Sequence, residues 1–307
     1  MSSASQTQFS AQRPVILVFG QNGQVGFELL RSLAHLGKVV GIDFPEADFS
    51  KPETLRALVR KHAPAAIINA AGYTAVDKAE NDFENANAIN AAGPAVLAEE
   101  AKLLGIPFFH YSTDYVFDGT SAVPYSETDV TCPINAYGRS KLEGDRAIAA
   151  VGGQHFILRT SWVYGNRGVN FLLRILQLSR ERKGLKIVND QIGCPTTSRF
   201  LAQVTATMLY RVLTEGSDFG LQNAGVYNCV SSGKTSWHGF ASHFLQHDPK
   251  RSEQVCESVA AVKSSEFPTP AKRPAYSVLS CEKLTQVFGI QPPAWDEQVE
   301  LVLGELR

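Results

Sequence analysis

The chain has 307 residues, of which 44% are hydrophobic and 19% are charged, and its formal net charge at pH 7 is -1. This is the composition of an ordinary globular protein. Lysine and arginine show no strong clustering, which argues against a nucleic-acid partner and against a membrane-surface patch. The five cysteines are widely spaced and form no CxxC pair, which argues against a disulfide framework and favours a reducing, cytoplasmic location.

The predicted elements begin after a short N-terminal tail. Residues 1–13 are rich in Ser, Gln and Ala, which predicts a flexible segment rather than a signal peptide, and no later apolar run approaches the length of a membrane span. Short apolar runs then alternate with segments of helical periodicity. The predicted strands cover 15–19, 39–42, 65–69, 107–111 and 156–159. The predicted helices cover 24–36, 52–62, 86–104, 136–151 and 170–182.

This alternation predicts the fold class. Strands that alternate with helices indicate an α/β protein with a Rossmann-like, doubly wound parallel sheet. We expect a dinucleotide-binding domain over 14–163. Beyond it the pattern loosens, with helix-like segments at 200–214 and 237–247 and a proline-rich stretch at 267–274 that must be largely extended. These features predict a smaller, partly helical substrate-binding lobe over 164–307, with some segments near 185–210 returning to the first domain.

Glycines follow the first predicted strand at a spacing that suits a dinucleotide. Gly20, Gly23 and Gly26 lie between that strand and the next helix, where they allow a tight turn and close backbone approach. The helix N-terminus then offers free N–H groups to a pyrophosphate. Asp43 ends the second strand, where a carboxylate binds ribose hydroxyls and favours NADH without excluding NADPH. The alternative is a glycine-rich turn that only packs a helix on a sheet.

Tyr137 and Lys141 lie four residues apart on a predicted helix and therefore share one face. An ammonium beside a phenol favours the phenolate and lowers the pKa of the tyrosine. Such a tyrosine can exchange a proton with a carbonyl or an alcohol. The pair predicts acid–base chemistry downstream of Thr113 and Asp114, which follow the fourth strand.

Several segments together resemble a known family. They are Gly20-Gln-Asn-Gly-Gln-Val-Gly26, Asn69-Ala-Ala-Gly-Tyr-Thr-Ala-Val-Asp-Lys-Ala-Glu80, Tyr111-Ser-Thr-Asp-Tyr-Val-Phe-Asp-Gly119, the Tyr137/Lys141 pair, Arg159-Thr-Ser-Trp-Val-Tyr-Gly165, Asn189-Asp-Gln-Ile-Gly-Cys-Pro-Thr196 and Pro268-Thr-Pro-Ala-Lys-Arg-Pro274. The chain resembles the dTDP-4-dehydrorhamnose reductases, which are extended short-chain dehydrogenase/reductases. The resemblance implies reduction of the C4 ketone of dTDP-4-dehydro-beta-L-rhamnose with NADPH or NADH, giving dTDP-L-rhamnose for polysaccharide.

The resemblance also implies residue roles. Tyr137 would be the proton donor, Lys141 would lower its pKa and hold the nicotinamide ribose, and Thr113 would bond the reacting oxygen. Asp114 and Trp162 would contact the sugar. The implied dinucleotide contacts are Gly23, Gln24, Val25, Asp43, Asp48, Phe49, Gly72, Tyr73, Thr74 and Tyr111.

Structural alternatives stand beside these roles. Thr113 could cap the turn after its strand, and Asp114 could only fix the loop. Trp162 could belong to the core. Arg273 suits a diphosphate by its bidentate geometry, but it could equally be a solvated surface arginine.

The resemblance includes a metal that this sequence does not favour. Some members dimerise through magnesium held by acidic side chains, and Glu28 matches one of them. Arg199 lies where another acid would be, and an arginine does not ligate magnesium. We therefore predict no metal site and a monomer or a homodimer without a metal bridge. His243 and His247 share a helical face, but they lack the intervening glutamate of a zinc motif.

Two rivals to the leading function remain. One is a reductase of another dTDP-4-keto-6-deoxysugar. The other is a non-catalytic, nucleotide-binding regulatory subunit of the same fold, which would not need the set Thr113, Tyr137 and Lys141.

Overall fold

The computed structural model describes residues 13–306. The tail predicted at 1–13 lies outside these residues except for Arg13. The first half of the described chain alternates strands and helices up to β5. Its elements are β1 (Val15–Phe19), α1 (Gln24–Ser32), β2 (Lys38–Ile42), α2 (Thr54–His62), β3 (Ala66–Asn69), α3 (Phe83–Asn87), α4 (Gly93–Leu104), β4 (Phe108–Thr113), α5 (Ala136–Val151) and β5 (His155–Thr160).

The second half is less regular. Its elements are β6 (Val163–Tyr164), α6 (Phe171–Glu181), β7 (Gly184–Val188), β8 (Ile192–Gly193), β9 (Thr196–Thr197), α7 (Ser198–Glu215), α8 (Ser217–Gln222), β10 (Gly225–Asn228), β11 (Thr235–Ser236), α9 (Trp237–Gln246), β12 (Ser258–Val262), α10 (Glu282–Phe288) and α11 (Trp295–Gly304). The proline-rich stretch 267–274 contains no helix, because proline lacks the donor and the freedom that a helix interior needs.

A six-stranded parallel sheet forms the centre of the molecule, in the order β10-β5-β4-β3-β1-β2. Successive residues of β1 point to opposite faces of this sheet. Ile16 and Val18 join a core with α1 and α7, whereas Leu17 and Phe19 join a core with α2 and α4. Helices thus cover both faces, and the predicted fold class is confirmed. The order reverses direction between β1 and β3, where open α/β sheets bind ligands at the carboxyl ends of their strands.

Part of the C-terminal half joins this sheet. Helix α7 packs on α1, and β10 extends the sheet beside β5. A second core unites α6, α9 and α11 with the parallel pair of β7 and β12. The second core approaches the sheet just after β5, where Trp162 stacks on Trp237 of α9.

Some predicted boundaries are wrong for identifiable reasons. The helix predicted at 24–36 ends at Ser32, because the chain turns and the Arg13 guanidinium binds the carbonyls of Ala34 and Gly37. The helix predicted at 52–62 begins at Thr54, and Ser50 does not cap it because its hydroxyl donates to Asp48.

Two other elements are longer or less regular than predicted. The long helix predicted at 86–104 begins at Phe83 as α3 and passes through a π-helical turn at Ala88–Ala92 before α4. Such turns often mark functional sites. Strand β4 extends two residues past the predicted 111 and ends on Thr113. The helix predicted at 136–151 is confirmed with those bounds.

Candidate active site

The turn after β1 is packed so closely that two of its glycines cannot be replaced. Gly20 has a φ of 81°, and a Cβ on it would lie 2.6 Å from the Ala71 nitrogen. A Cβ on Gly26 would lie 1.9 Å from the Gly20 oxygen. A Cβ on Gly23 would meet only that oxygen, at 3.3 Å. The turn therefore presents an open backbone face at Gly23, and this face suits a ligand that approaches the main chain.

The N-terminus of α1 lies at this open face. Its N-cap residue Gly23 supplies no side-chain cap, and within residues 13–306 the N–H groups of Gln24, Val25 and Gly26 have no acceptor. The Gln24 side chain accepts a hydrogen bond from Asn170 at 2.9 Å, so Gln24 offers its backbone. Free N–H groups at the positive end of a helix are what a pyrophosphate takes up. The residues present therefore fit a dinucleotide.

The acids beyond β2 are tied to the backbone around them. The Asp43 carboxylate accepts the N–H groups of Asn22 and Phe44, both at 2.8 Å, so it links the glycine turn to the end of β2. Asp48 accepts from the backbone and hydroxyl of Ser50, which lowers the Asp48 pKa. The Phe49 ring packs in the core, edge-on to Phe19, with ring centroids 5.7 Å apart.

The turn after β3 completes the nucleotide side of the site. Gly72 and Thr74 are exposed, and Tyr73 is held through its backbone by Asn90, whose Oδ1 accepts the Tyr73 N–H at 2.8 Å. The Tyr73 hydroxyl donates to Asp82 at 2.9 Å. A Cβ on Gly72 would lie 3.9 Å from Lys141 Nζ, so this turn passes directly beside the lysine.

Thr113 and Asp114 lie at the carboxyl end of β4. The Thr113 hydroxyl donates to Asp114 at 3.0 Å and accepts the Tyr115 N–H at 3.2 Å, so Thr113 does cap the following turn. Asp114 is 2% exposed, and burial raises its pKa to about 7, while hydrogen bonds from Ser277 and Thr113 act in the opposite direction. Asp114 is therefore a group beside Thr113 that can hold a proton near neutral pH.

Tyr137 lies in the first turn of α5, whose N-cap Asn135 accepts the Gly138 N–H at 2.7 Å. Burial raises the Tyr137 pKa to about 12; a hydrogen bond with Thr113 opposes this, and the charges of Asp114 and Asp145 add to it. The Tyr137 pKa is thus raised where the sequence predicted a lowered one, and Lys141 is not among the groups that shift it. The Lys141 Nζ is directed to the Tyr111 carbonyl and to His110, and burial dominates the pKa of the phenol.

Lys141 is buried behind the tyrosine, one helical turn further along α5. Its Nζ donates to the Tyr111 carbonyl at 2.5 Å and lies 3.2 Å from His110 Nε2. Burial lowers its pKa to about 8, and the charge of Asp145 opposes this. The Tyr111 side chain is not available to a ligand, because its hydroxyl shares a 2.6 Å hydrogen bond with Thr205 in the core.

Trp162 follows β5 in a strained backbone conformation, with a φ of 47° that side-chain-bearing residues rarely adopt. Its indole stacks on Trp237, with ring centroids 3.6 Å apart and planes 7° apart. A Cβ on Gly193 would lie 2.6 Å from the Trp162 ring. Trp162 is therefore partly buried. Trp237 covers one face of its ring, and the backbone at Gly193 packs against the ring as well.

A cavity of about 1010 Å³ opens beside the second core, lined mainly by α6, β7 and the stretch 264–273. Thr113, Asp114, Tyr137 and Trp162 do not line it; its link to them is Trp237, whose ring stacks on Trp162. Trp237, Gln191 and Arg273 are among its lining residues. Arg273 makes a bidentate pair with Asp77, at 3.0 and 2.9 Å, and its hydrogen bonds lower the Asp77 pKa. The guanidinium fork is therefore taken by a carboxylate, and Arg273 is not a solvated surface arginine.

Glu28 and Arg199, which lie where some family members hold magnesium, belong to an ion-pair cluster. The Arg199 side chain lies 3.5 Å from Glu28 and also pairs with Glu305. In residues 13–306 no group of three or more His, Cys, Asp or Glu side chains is placed to hold a metal ion. His247 Nδ1 lies 2.8 Å from the His243 carbonyl oxygen. The arginine thus supplies the positive charge between two carboxylates.

We expect the assembly state of the protein to be the same with and without EDTA, because a guanidinium already pairs with both Glu28 and Glu305. Analytical ultracentrifugation with magnesium or with EDTA measures this. The matched variant is Arg199→Glu, which gathers three carboxylates, the oxygen donors that Mg²⁺ prefers. A sedimentation shift of the unaltered protein on chelation would contradict the prediction.

Several contributors were not predicted as site residues. Asp77 holds Arg273, and Asn90 holds the backbone of Tyr73; neither pair is close in sequence. Trp237, which stacks on Trp162, is the first residue of a helix for which the sequence indicated only amphipathic character. Asn69 and His110 lie in segments that the sequence analysis described, but their side chains contact residues that are distant in sequence. The sequence signal for His110 was a polar residue in the middle of a buried strand, which needs a hydrogen-bond partner.

The sheet, the uncapped glycine turn and the Tyr137/Lys141 pair define an NAD(P)H-dependent oxidoreductase of the extended short-chain dehydrogenase/reductase class. The family model described as RmlD substrate binding domain matches residues 14–307. The chain belongs to this family, that of the dTDP-4-dehydrorhamnose reductases, and the resemblance drawn from the sequence is confirmed.

Individual relatives agree with this assignment. The chain is 48% identical to the dTDP-4-dehydrorhamnose reductase of Burkholderia thailandensis, over 95% of this chain and 98% of the relative. It is 42% identical to the enzyme of that name from Escherichia coli, over 95% and 97%. The crystal structure of the Bacillus anthracis dTDP-4-dehydrorhamnose reductase in complex with NADP has a TM-score of 0.87 at 31% identity, over 96% and 100%. Between residues 13 and 306, no helix is both long and apolar enough to cross a membrane.

Proposed function

We propose that the protein reduces the C4 ketone of dTDP-4-dehydro-beta-L-rhamnose with NADPH or NADH and releases dTDP-beta-L-rhamnose. One observation carries the proposal: the carboxyl end of β4 brings Thr113 and Asp114 against Tyr137, one helical turn from Lys141, which lies beside the exposed turn at Gly72. The relatives and the family give the substrate its identity. When bound, the reduced nicotinamide supplies the hydride.

The dinucleotide would be held by backbone on one side and by side chains on the other. Gly23, Gln24 and Val25 would donate their free N–H groups to the pyrophosphate. Asp43 keeps an unused lone pair on each oxygen for a ribose, and the exposed turn at Gly72 lies beside Lys141. The remaining implied contacts are Gly20, Gly26, Asp48, Phe49, Tyr73, Thr74 and Tyr111; Phe49 and Tyr111 would act through their backbone, since both side chains are buried.

Tyr137 would supply the proton. A phenol with a pKa of about 12 is fully protonated at neutral pH, so it is in the form that a donor needs. An alkoxide is a stronger base than this phenolate, so transfer from Tyr137 to the developing alkoxide is favourable. The Thr113 hydroxyl would stabilise the same oxygen. Lys141 would hold the nicotinamide ribose and supply positive charge behind the phenol.

The nucleotide sugar would occupy the cavity, whose volume of about 1010 Å³ suits a ligand of that size. The Trp162 indole, held by its stack on Trp237, would offer an apolar face to the deoxysugar. Arg182, Lys186, Lys272 and Arg273 place positive charge around the cavity for the diphosphate. Asp114 would bond a sugar hydroxyl. Residues 14–163 would then bind mainly dinucleotide, and 164–307 mainly substrate.

The test is an assay of NADPH and NADH oxidation with enzymatically prepared dTDP-4-dehydro-beta-L-rhamnose. We expect oxidation that depends on the keto sugar, with dTDP-rhamnose as the product by chromatography and NMR. The matched control is dTDP-glucose, which has no ketone. Oxidation only with a different 4-keto-6-deoxysugar would favour the related reductase, and dinucleotide binding without turnover would favour the regulatory subunit.

We also propose that the protein is cytoplasmic and is either a monomer or a homodimer without a metal bridge.

A further inference from the structure

His110 is a histidine inside the central sheet for which the proposed reaction has no use. It lies in the middle of β4, is 0% exposed, and stacks near Phe108 with ring centroids 6.3 Å apart. Each ring nitrogen has one neighbour: Nδ1 lies 3.1 Å from Asn69 Nδ2, and Nε2 lies 3.2 Å from Lys141 Nζ. A buried polar ring with two committed nitrogens can fix the proton positions of its neighbours.

The orientation of Asn69 decides where the His110 proton lies. Asn69 Oδ1 accepts the Ala71 N–H at 3.1 Å, so its amide nitrogen faces the imidazole. That nitrogen carries two hydrogens and no free lone pair, so His110 Nδ1 must accept. A neutral imidazole then carries its hydrogen on Nε2, which faces Lys141. Burial and the charge of Lys141 lower the His110 pKa well below its usual value, so the ring remains neutral.

This arrangement suits only one form of Lys141. An amine has a lone pair that can accept the Nε2–H while the amine donates to the Tyr111 carbonyl, whereas an ammonium has no lone pair. An ammonium requires the other tautomer, with Nε2 as acceptor and the hydrogen on Nδ1. Asn69 must then turn its oxygen to His110, and the Ala71 N–H loses its partner. The ionisation of Lys141 and the hydrogen bonding of the turn after β3 are thereby linked.

We propose that His110 is a positioning residue that changes tautomer with the ionisation of Lys141 and couples the lysine, through Asn69, to the turn at 69–73 beside the dinucleotide site. The role deepens the proposed function, because both the lysine and the turn belong to that site. It differs from a packing role, in which one tautomer would serve at every pH.

Other groups around Lys141 do not replace this link. On α5 the charged neighbour is Asp145, which is paired with Arg159 of β5 at 3.1 Å. Tyr137 of α5 stays neutral because its pKa is raised to about 12, and Asp114 beyond β4 acts on Tyr137. On the π-helical turn that packs against α5, Asn90 donates to Ser140, the residue before Lys141, and is uncharged. Of these groups, His110 has two neutral forms with opposite hydrogen-bonding character at Lys141.

The direct test is ¹⁵N NMR of histidine-labelled protein from pH 6 to pH 10, because the two tautomers have distinct nitrogen shifts. The chain has seven histidines, and loss of one signal in His110→Gln assigns the ring. We expect His110 to change from the Nδ1–H to the Nε2–H tautomer with a midpoint near pH 8, the pKa that burial gives Lys141. In Lys141→Met the change should disappear. One tautomer throughout, an imidazolium, or a change that survives Lys141→Met would overturn the proposal.

A second variant tests the link through Asn69. Asn69→Asp is nearly isosteric, keeps an acceptor for the Ala71 N–H, and offers Nδ1 no donor. We expect it to hold His110 in the Nδ1–H tautomer at pH 9, where the unaltered protein has the Nε2–H tautomer. His155, whose Nδ1 lies 3.0 Å from the Gly153 carbonyl, is the internal control and should not respond. An unchanged tautomer of His110 at pH 9 would refute the link.

The kinetic consequence is separate and rests on the proposed reaction. The alkaline limb of kcat should move upward by about one pH unit or more in Asn69→Asp, because the ammonium gains an acceptor. Adding His110→Phe should remove most of that shift, whereas a purely Coulombic effect of the new carboxylate would persist and would count against His110. The NMR result needs no substrate, so failure of the substrate assignment and failure of this proposal are distinguishable.

Discussion

Tyr137→Phe is expected to lower kcat by about 10²–10⁴-fold and to leave the affinity for the dinucleotide nearly unchanged. The phenol is the proton donor in the proposed reaction, and its hydroxyl is the single group that this change removes. The ring stays edge-on to Tyr115, whose centroid lies 5.9 Å away, so the packing of α5 against the turn after β4 is retained. Cofactor binding followed by fluorescence, together with single-turnover kinetics, measures the two quantities separately.

The raised pKa of Tyr137 sharpens this expectation. A phenol with a pKa of about 12 does not titrate near neutrality, so kcat of the unaltered enzyme should show no limb from Tyr137 between pH 6 and pH 9. Tyr115→Phe is the matched control, because it removes a neighbouring hydroxyl and keeps a ring at the same place. Turnover of Tyr137→Phe close to that of the unaltered protein would show that another group donates the proton.

Local sequence patterns were sufficient for most of the sheet. The apolar run Val15–Phe19 predicts a buried strand, and the apolar face of Gln24–Ser32 predicts a helix. Both predictions work because the spacing of apolar residues depends only on the geometry of the element itself. The bounds of α5 follow from the cap at Asn135 and the glycine at 152, both local signals. Strand β10 was not predicted because it is four residues long and gains its place only by pairing with β5.

The candidate site was predictable as a set of residues but not as an electrostatic arrangement. Spacing placed Tyr137 and Lys141 on one face, and the structure keeps them there. Which group acts on the phenol depends on where Lys141 Nζ points, and His110 and the Tyr111 carbonyl, about thirty residues upstream on another element, determine that. Burial, which raises the pKa of both Tyr137 and Asp114, is likewise a property of the whole fold.

The partners of Arg273 illustrate the same limit. The sequence offered a diphosphate or bulk solvent, and the structure gives a carboxylate 196 positions away. Asp77 also accepts the Ala271 N–H at 3.1 Å, so it ties the proline-rich stretch to the turn after β3. A diphosphate that bound Arg273 would compete with this pair or would use the other cations around the cavity. Such a choice between partners depends on three-dimensional proximity, which no local pattern encodes.

Asp114→Asn is expected to raise the free energy of unfolding at pH 8 and to raise it considerably less at pH 5. Asp114 is 2% exposed, and its folded-state pKa of about 7 lies above the unfolded value of 3.8, so the folded protein binds its proton more tightly. The stabilisation from this proton is present below pH 3.8 and is lost as the pH rises through 7. At about 1.36 kcal/mol per pKa unit, the loss reaches about 4 kcal/mol at most.

The asparagine removes this loss because it cannot ionise, and its Oδ1 can still accept the Thr113 hydroxyl. Urea unfolding of both proteins at pH 5 and pH 8 measures the difference. Asp118→Asn is the matched control four residues further along: hydrogen bonds from Thr120 and Tyr125 lower the Asp118 pKa, so this carboxylate is ionised in the folded and the unfolded state at both pH values, and its replacement should have the same effect at pH 5 and pH 8. An equal effect of Asp114→Asn at the two pH values would mean that this carboxylate keeps its ordinary pKa. A stable protein with impaired turnover would instead indicate that Asp114 is kept, at a cost in stability, for its contact with the sugar.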